Sequence, residues 1–84
     1  MAEDLAIIEE YLGELFMPEF ARAVVDKQLS NIGESRETYN RSKLDMLLRE
    51  IERRVLVSFK GDEAHTIVQH LKRSIIEREV GKRE

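Results

Sequence analysis

The two histidines are the first residues to consider for metal or acid–base chemistry. His65 and His70 are five positions apart, which places their side chains about 140° apart around a helix. They cannot hold one metal ion together. Asp62 and His65 have the three-residue spacing of a helical metal pair, but Asp62 is better placed as the N-terminal cap of the following helix. The sequence predicts no metal site and no cofactor.

Residues for nucleophilic or phosphate chemistry are equally sparse. The chain has no cysteine and no glycine-rich phosphate loop, and its five serines have no base at an orienting spacing. Neighbouring carboxylates, such as Glu9 with Glu10 and Glu50 with Glu52, fall opposite the apolar residues, where water keeps them ionised. We therefore expect no catalytic residues and a protein that is not an enzyme.

Composition and the absence of targeting signals bear on the cellular location of the protein. Without cysteine there are no disulfides, and the amino terminus carries Glu3 and Asp4 where a signal peptide needs basic residues. No apolar run approaches the roughly 18 residues of a membrane span. We expect a soluble, cytoplasmic protein without membrane contact. Its many Glu and Arg residues, with few Asn and Gln, are typical of heat-stable proteins.

The elements that would position any site are helices. The chain has one proline and four glycines, too few for the many turns of a β-rich fold, and its apolar residues recur at helical spacing. We predict four helices, over about 3–16, over 18–32, from a cap at Asn40 or Ser42 to Lys60, and from a cap at Asp62 to about Val80. Ser42 with Asp45 fits a capping box.

These four helices predict an all-α fold, a compact four-helix bundle of short helices. It forms a single domain over residues 1–80, followed by a disordered tail at 81–84 and containing one flexible loop at 34–39. Each helix has one apolar face. The core is expected to comprise Leu5, Ile8, Leu12, Leu15, Phe16, Phe20, Ala21, Val24, Val25, Gln28, Ile32, Leu44, Leu47, Leu48, Ile51, Val55, Phe59, Ala64, Ile67, Val68, Leu71 and Ile75.

Apolar residues outside these faces suggest a second buried surface. Two pairs of them recur at four-residue spacing, on helices one and four. Helix three, if central, would absorb its own extra residues into the core. Otherwise these residues form an interface with a protein partner, most simply a second copy in a homodimer. The predicted interface residues are Ile7, Tyr11, Met46, Leu56, Val57, Ile76 and Val80. We therefore predict a non-enzymatic interaction or regulatory module that self-associates.

A nucleic-acid-binding protein is the alternative. Arg49 and Arg53 on helix three, with Lys72 and Arg73 on helix four, would contact phosphates. Glutamates are interleaved with these basic residues, and the formal net charge of -3 argues against binding dominated by phosphate contacts. The segment from Gly33 to Tyr39 is also longer than the turn of a helix-turn-helix motif.

Overall fold

The computed structural model describes residues 3–83 of the chain, and the side chains of residues 3–77. Within that range four helices pack into an all-α bundle and no strand is present, as the apolar spacing predicts. The helices are α1 (Glu3–Leu15), α2 (Pro18–Asn31), α3, which begins at Leu44 and ends at Lys60, and α4 (Glu63–Arg83). A single 3-10 turn, Arg41–Lys43, leads into α3.

Local sequence explains the boundaries of α2. Pro18 occupies the first helical position, where its missing N–H costs nothing, and Met17 before it is extended at φ -137° and ψ 149°. At the other end Gly33 has φ 78°, a left-handed conformation that glycine adopts without strain. Helices α1 and α2 therefore form a hairpin with a very short connection.

Asn40 provides the cap that leads into α3. Its Oδ1 accepts a hydrogen bond of 3.0 Å from the backbone N–H of Ser42. The hydroxyl of Ser42 also donates to Asn40 Oδ1, so Ser42 does not form the predicted capping box with Asp45. Of the two predicted caps, the structure uses Asn40.

Helix α3 contains a π-helical turn. It is α-helical at Leu44–Ile51, widens at Glu52–Leu56, and returns to α-helix at Val57–Lys60. The Val57 N–H bonds to the carbonyl of Glu52, five residues back, which marks the wider turn. Because this turn holds an extra residue, adjacent Val55 and Leu56 both face the core, at 7% and 0% exposure.

Helix α4 begins after a sharp turn at Gly61, whose φ of 55° again suits glycine. It is the longest helix and continues to Arg83, so it includes residues 81–83 of the predicted tail, whereas Glu84 lies outside the described residues. Its buried residues are Ala64, Val68, Leu71 and Ile75, with Ile67 partly buried against the same core.

One hydrophobic core joins the four helices. Its centre is made of residues at 0% exposure from α1, α2, α3 and α4: Ile8, Leu12, Ala21, Val25, Leu47, Ile51, Leu56 and Leu71. Two residues of the predicted core lie outside it. Phe20 is 39% exposed and Phe59 is 60% exposed. Phe59 is one residue from the end of α3, so it projects past the packed part of the bundle.

Candidate interaction surface

The segment between α2 and α3, predicted to be a flexible loop, is held by Arg36. The Arg36 guanidinium donates to Glu9 on α1 and, at 2.6 Å, to Asp26 on α2. Burial alone would lower the pKa of Arg36, but hydrogen bonds and charge attraction from these two carboxylates raise it. One side chain therefore ties the segment to both helices of the hairpin.

A second anchor lies at Asp4, which is 7% exposed. Its carboxylate accepts hydrogen bonds from the Tyr39 hydroxyl at 2.8 Å and from Arg41 Nε and Nη2 at 2.7 and 2.8 Å. Burial would raise the pKa of Asp4, but the bonds from Arg41 and Tyr39 outweigh it and hold that pKa below 3.8. Burial and the Asp4 charge raise the pKa of Tyr39.

These anchors are polar contacts of the fold and show no reactive geometry. The three functional groups that meet there, the Asp4 carboxylate, the Tyr39 hydroxyl and the Arg41 guanidinium, hydrogen-bond with one another. Both histidines are exposed, with His65 Nδ1 3.6 Å from Glu52 Oε1. Among the described residues, no group of three or more His, Cys, Asp or Glu side chains could hold a metal ion.

The predicted interface residues do not form one surface. Ile7 and Leu56 are buried in the core, at 7% and 0% exposure, and so cannot contact a partner. Ile7 packs inward because α1 buries a wider face than one stripe, and Leu56 because of the π-helical turn. Tyr11 is partly buried against the core. Met46, Val57 and Ile76 are 46%, 50% and 42% exposed, and the side chain of Val80 lies outside the described part.

The basic residues predicted to contact nucleic acid are spread over α3 and α4. Lys72 Nζ lies 2.8 Å from Asp45 Oδ1, and Arg53 Nη1 lies 3.4 Å from Glu50 Oε2. Arg49 and Arg73 are exposed. Two of the four predicted phosphate contacts are therefore already neutralised by carboxylates of the chain.

All three phenylalanines of the chain meet on the surface. Phe16 follows α1, Phe20 lies in the first turn of α2, and Phe59 lies in the last turn of α3. Their ring centroids are 5.3 Å apart for Phe16 and Phe20, 5.3 Å for Phe16 and Phe59, and 5.9 Å for Phe20 and Phe59. Every pair is edge-to-face, the arrangement that the charge distribution of aromatic rings favours.

Met17 extends this cluster along the chain. It is adjacent to Phe16, three positions before Phe20, and 62% exposed. We call Phe16, Met17, Phe20 and Phe59 the aromatic patch. Met17 also occupies the N-cap position of α2, where it provides no side-chain hydrogen bond. Ser, Thr, Asp or Asn in that position would stabilise the helix, so an exposed methionine there has no advantage for folding.

The aromatic patch leaves apolar surface in water. A large side chain has roughly 200 Å² of surface, so the exposures of 39% at Phe20 and 60% at Phe59 leave about 200 Å² of apolar area exposed around the three rings. Met17, next to them in sequence and 62% exposed, leaves about 120 Å² more. The sequence contained part of this signal, because Phe16 and Phe20 have a four-residue spacing.

Comparison of the chain with protein-family models, with curated proteins and with solved structures found no match. None of the helices within the described residues has the length and apolar character needed to cross a membrane. The fold and surface define a small helical bundle with an exposed aromatic patch.

Proposed function

We propose that this chain is a non-enzymatic helical interaction module that docks another protein chain through the aromatic patch. The observation that carries the proposal is the grouping of three phenylalanines from α1, α2 and α3 on the surface, with Phe59 60% exposed. If the three rings were buried inside the chain, their apolar surface would be removed from water, yet the fold leaves part of that surface accessible.

Two features argue that the aromatic patch serves binding and not folding alone. Met17 is apolar and exposed where a polar cap would stabilise α2. Aromatic residues and methionine are also the types enriched at protein interfaces. A sequence that departs from a local folding rule at an exposed apolar cluster is consistent with selection for contact with a partner.

The proposal replaces the predicted interface with a different surface. Ile7 and Leu56 belong to the core, whereas Met46 and Val57 on α3 and Ile76 on α4 are exposed. Single apolar residues are common on monomer surfaces. The function class is the one predicted from sequence, whereas the residues that carry it are new.

Site-specific photo-crosslinking in the native cell tests the proposal. A benzophenone amino acid at position 59 is expected to give a covalent adduct, because that side chain would lie against the partner. The same probe at position 74 is the matched control: Ser74 is exposed on α4, more than ten residues, or about 16 Å, along the helix from its start. Equal yields at both positions, or no adduct at position 59, would contradict the proposal.

Nucleic-acid binding through Arg49, Arg53, Lys72 and Arg73 stays the alternative. The ion pairs of Lys72 with Asp45 and of Arg53 with Glu50 reduce the charge offered to phosphate. Retention on DNA or RNA that weakens steeply with added salt would support this alternative, since counterion release dominates phosphate contacts.

A further inference from the structure

We infer that the π-helical turn of α3 assembles the aromatic patch. By taking up one residue more than an α-helical turn, it directs Phe59 onto Phe16 and Phe20. This inference rests on the proposed function and deepens it, because it names the part of the fold that builds the docking surface. Three observations carry it: the change of register along α3, the exposure of the residues after the turn, and the contacts of the Phe59 ring.

The apolar repeat of α3 is regular before the π-helical turn and shifted after it. Four buried residues precede the turn at α-helical spacing, namely Leu44, Leu47, Leu48 and Ile51. An uninterrupted α-helix would continue this buried face four positions after Ile51, but Leu56, at 0% exposure, is five positions after it. Each side chain after the turn therefore points about where the residue before it would point in an uninterrupted α-helix, a rotation of about 100°.

Exposure after the turn follows the shifted register. In an uninterrupted α-helix Ser58, seven positions after Ile51, would lie on the buried face, and Lys60, nine positions after Ile51, would lie opposite it. The structure shows the reverse, because Ser58 is exposed and Lys60 is half-buried. The whole last turn of α3 is thus rotated, and not Leu56 alone.

This rotation determines where the Phe59 ring lies. Its centroid is 5.3 Å from that of Phe16 and 5.9 Å from that of Phe20. A helical side chain ends roughly 5–6 Å from the helix axis, so a rotation of about 100° moves that end by about 8 Å. Rings in contact have centroids about 4.5–7 Å apart, so a displacement of this size separates them. With all its residues in one uninterrupted α-helix, α3 would carry Phe59 away from both rings.

The core does not fix the direction of the last turn. None of the residues in Val57–Lys60 is buried, and Val57 and Phe59 are 50% and 60% exposed. Leu56 is the last residue of α3 in the core, and Gly61 turns the chain toward α4. The direction of the last turn therefore affects the aromatic patch and leaves the core unchanged.

Deletion of the exposed residue Arg54 is the first of two matched variants. It places Val55 and Leu56 three and four positions after Ile51, the spacing that a regular α-helix needs to bury both. The π-helical turn is then no longer needed, and Phe59 keeps its direction. We expect this variant to fold and to keep the contacts among the three rings.

Deletion of Ser58 is the matched control. It also removes one exposed residue from α3, but it does so after Leu56, where the π-helical turn cannot compensate. The core stays intact, and Phe59 turns by about 100°. We expect this variant to fold as well and to lose the contacts of Phe59 with the other two rings.

Proton NOE spectroscopy on the isolated chain measures these contacts, and circular dichroism checks that each variant folds. Cross-peaks from the Phe59 ring to Phe16 and Phe20 are expected in the wild-type chain and without Arg54, and are expected to be lost without Ser58. Cross-peaks kept in both variants, lost in both, or lost only without Arg54 would overturn the inference. Unfolding of either variant would overturn it too, because the deleted residue would then be needed by the core.

Crosslinking separates failure of this inference from failure of the proposed function. The ring contacts lie within one chain and are measured without a partner, whereas adducts from position 59 report on the partner. Cross-peaks that do not follow the deletions, with adducts still formed, would overturn this inference and leave the proposed function standing. Cross-peaks that follow the deletions, without any adduct, would overturn the docking role and leave the assembly of the rings by the π-helical turn standing.

Discussion

The anchor at Asp4 gives the most quantitative prediction about the fold, through the substitution Asp4→Asn. The Asp4 carboxylate accepts two hydrogen bonds from Arg41 and one from Tyr39, at 2.7 to 2.8 Å. Asparagine with its oxygen in the place of Oδ2 still accepts from Tyr39 and from Arg41 Nε, but it loses the negative charge and turns an N–H₂ toward Arg41 Nη2, which can only donate. Hydrogen bonds to charged groups contribute about 1.5–3 kcal/mol each and are not additive, so we expect a loss of about 2–3 kcal/mol.

That loss is large for a chain of 84 residues. Domains of this size have roughly 4–13 kcal/mol of stability, and each kcal/mol corresponds to about 4–8 °C in the melting temperature. Asp4→Asn should therefore melt about 8–24 °C below the wild-type chain at neutral pH. Asp26→Asn is the matched control. Its carboxylate side chain is 53% exposed, so losing its ion pair with Arg36 should cost less than about 1 kcal/mol.

The pH dependence of the Asp4→Asn effect has a definite sign. Because the pKa of Asp4 is lower in the folded chain than the ordinary 3.8, the ionised carboxylate stabilises the fold fully above that pH. The contribution is lost as the pH falls below 3.8, through the lowered folded pKa. Urea unfolding at several pH values would measure this. A wild-type to variant difference below about 0.5 kcal/mol at neutral pH, or one that acid does not reduce, would refute the assigned role.

Two further predictions concern the core and a helix end. Leu47→Ala should destabilise the chain by about 2–5 kcal/mol, because Leu47 is at 0% exposure in the centre of the core and the truncation leaves a cavity. Urea unfolding would measure this loss, and a loss below about 1 kcal/mol would contradict the packing of Leu47. Gly33→Ala should destabilise the chain by about 1 kcal/mol, because Gly33 has φ 78°, a left-handed conformation that strains alanine although no atom crowds an added Cβ. A neutral or stabilising effect in thermal melting would argue against the left-handed conformation of Gly33.

Helix positions and most of the core could be predicted from the sequence because both depend on local spacing. Pro18 fixed the start of α2, Gly33 and Gly61 ended the helices before them, and the repeat from Leu44 to Val55 gave the buried face of α3. Each of these signals lies within a few residues of the structure that it predicts.

The interaction surface could not be predicted because it depends on tertiary contacts. A regular helical repeat assigns Phe59 to the core and leaves open whether Leu56 lies in the core or at an interface. In the structure Leu56 is buried at the π-helical turn, and Phe59 is exposed near the end of α3. The meeting of Phe59 with Phe16 and Phe20 joins residues about 40 positions apart, a contact that no local pattern contains. The same holds for Asp4 and Tyr39, which turn a predicted flexible loop into an anchored segment.

Photo-crosslinking from position 59, beside the same probe at position 74, tests the central claim most directly. The proposed function predicts that a benzophenone at position 59, where the side chain is 60% exposed in the aromatic patch, forms a covalent adduct with another protein chain. The probe at Ser74, exposed on α4, should give little adduct. Equal yields at both positions, or no adduct at position 59, would contradict the claim that the aromatic patch is a docking surface.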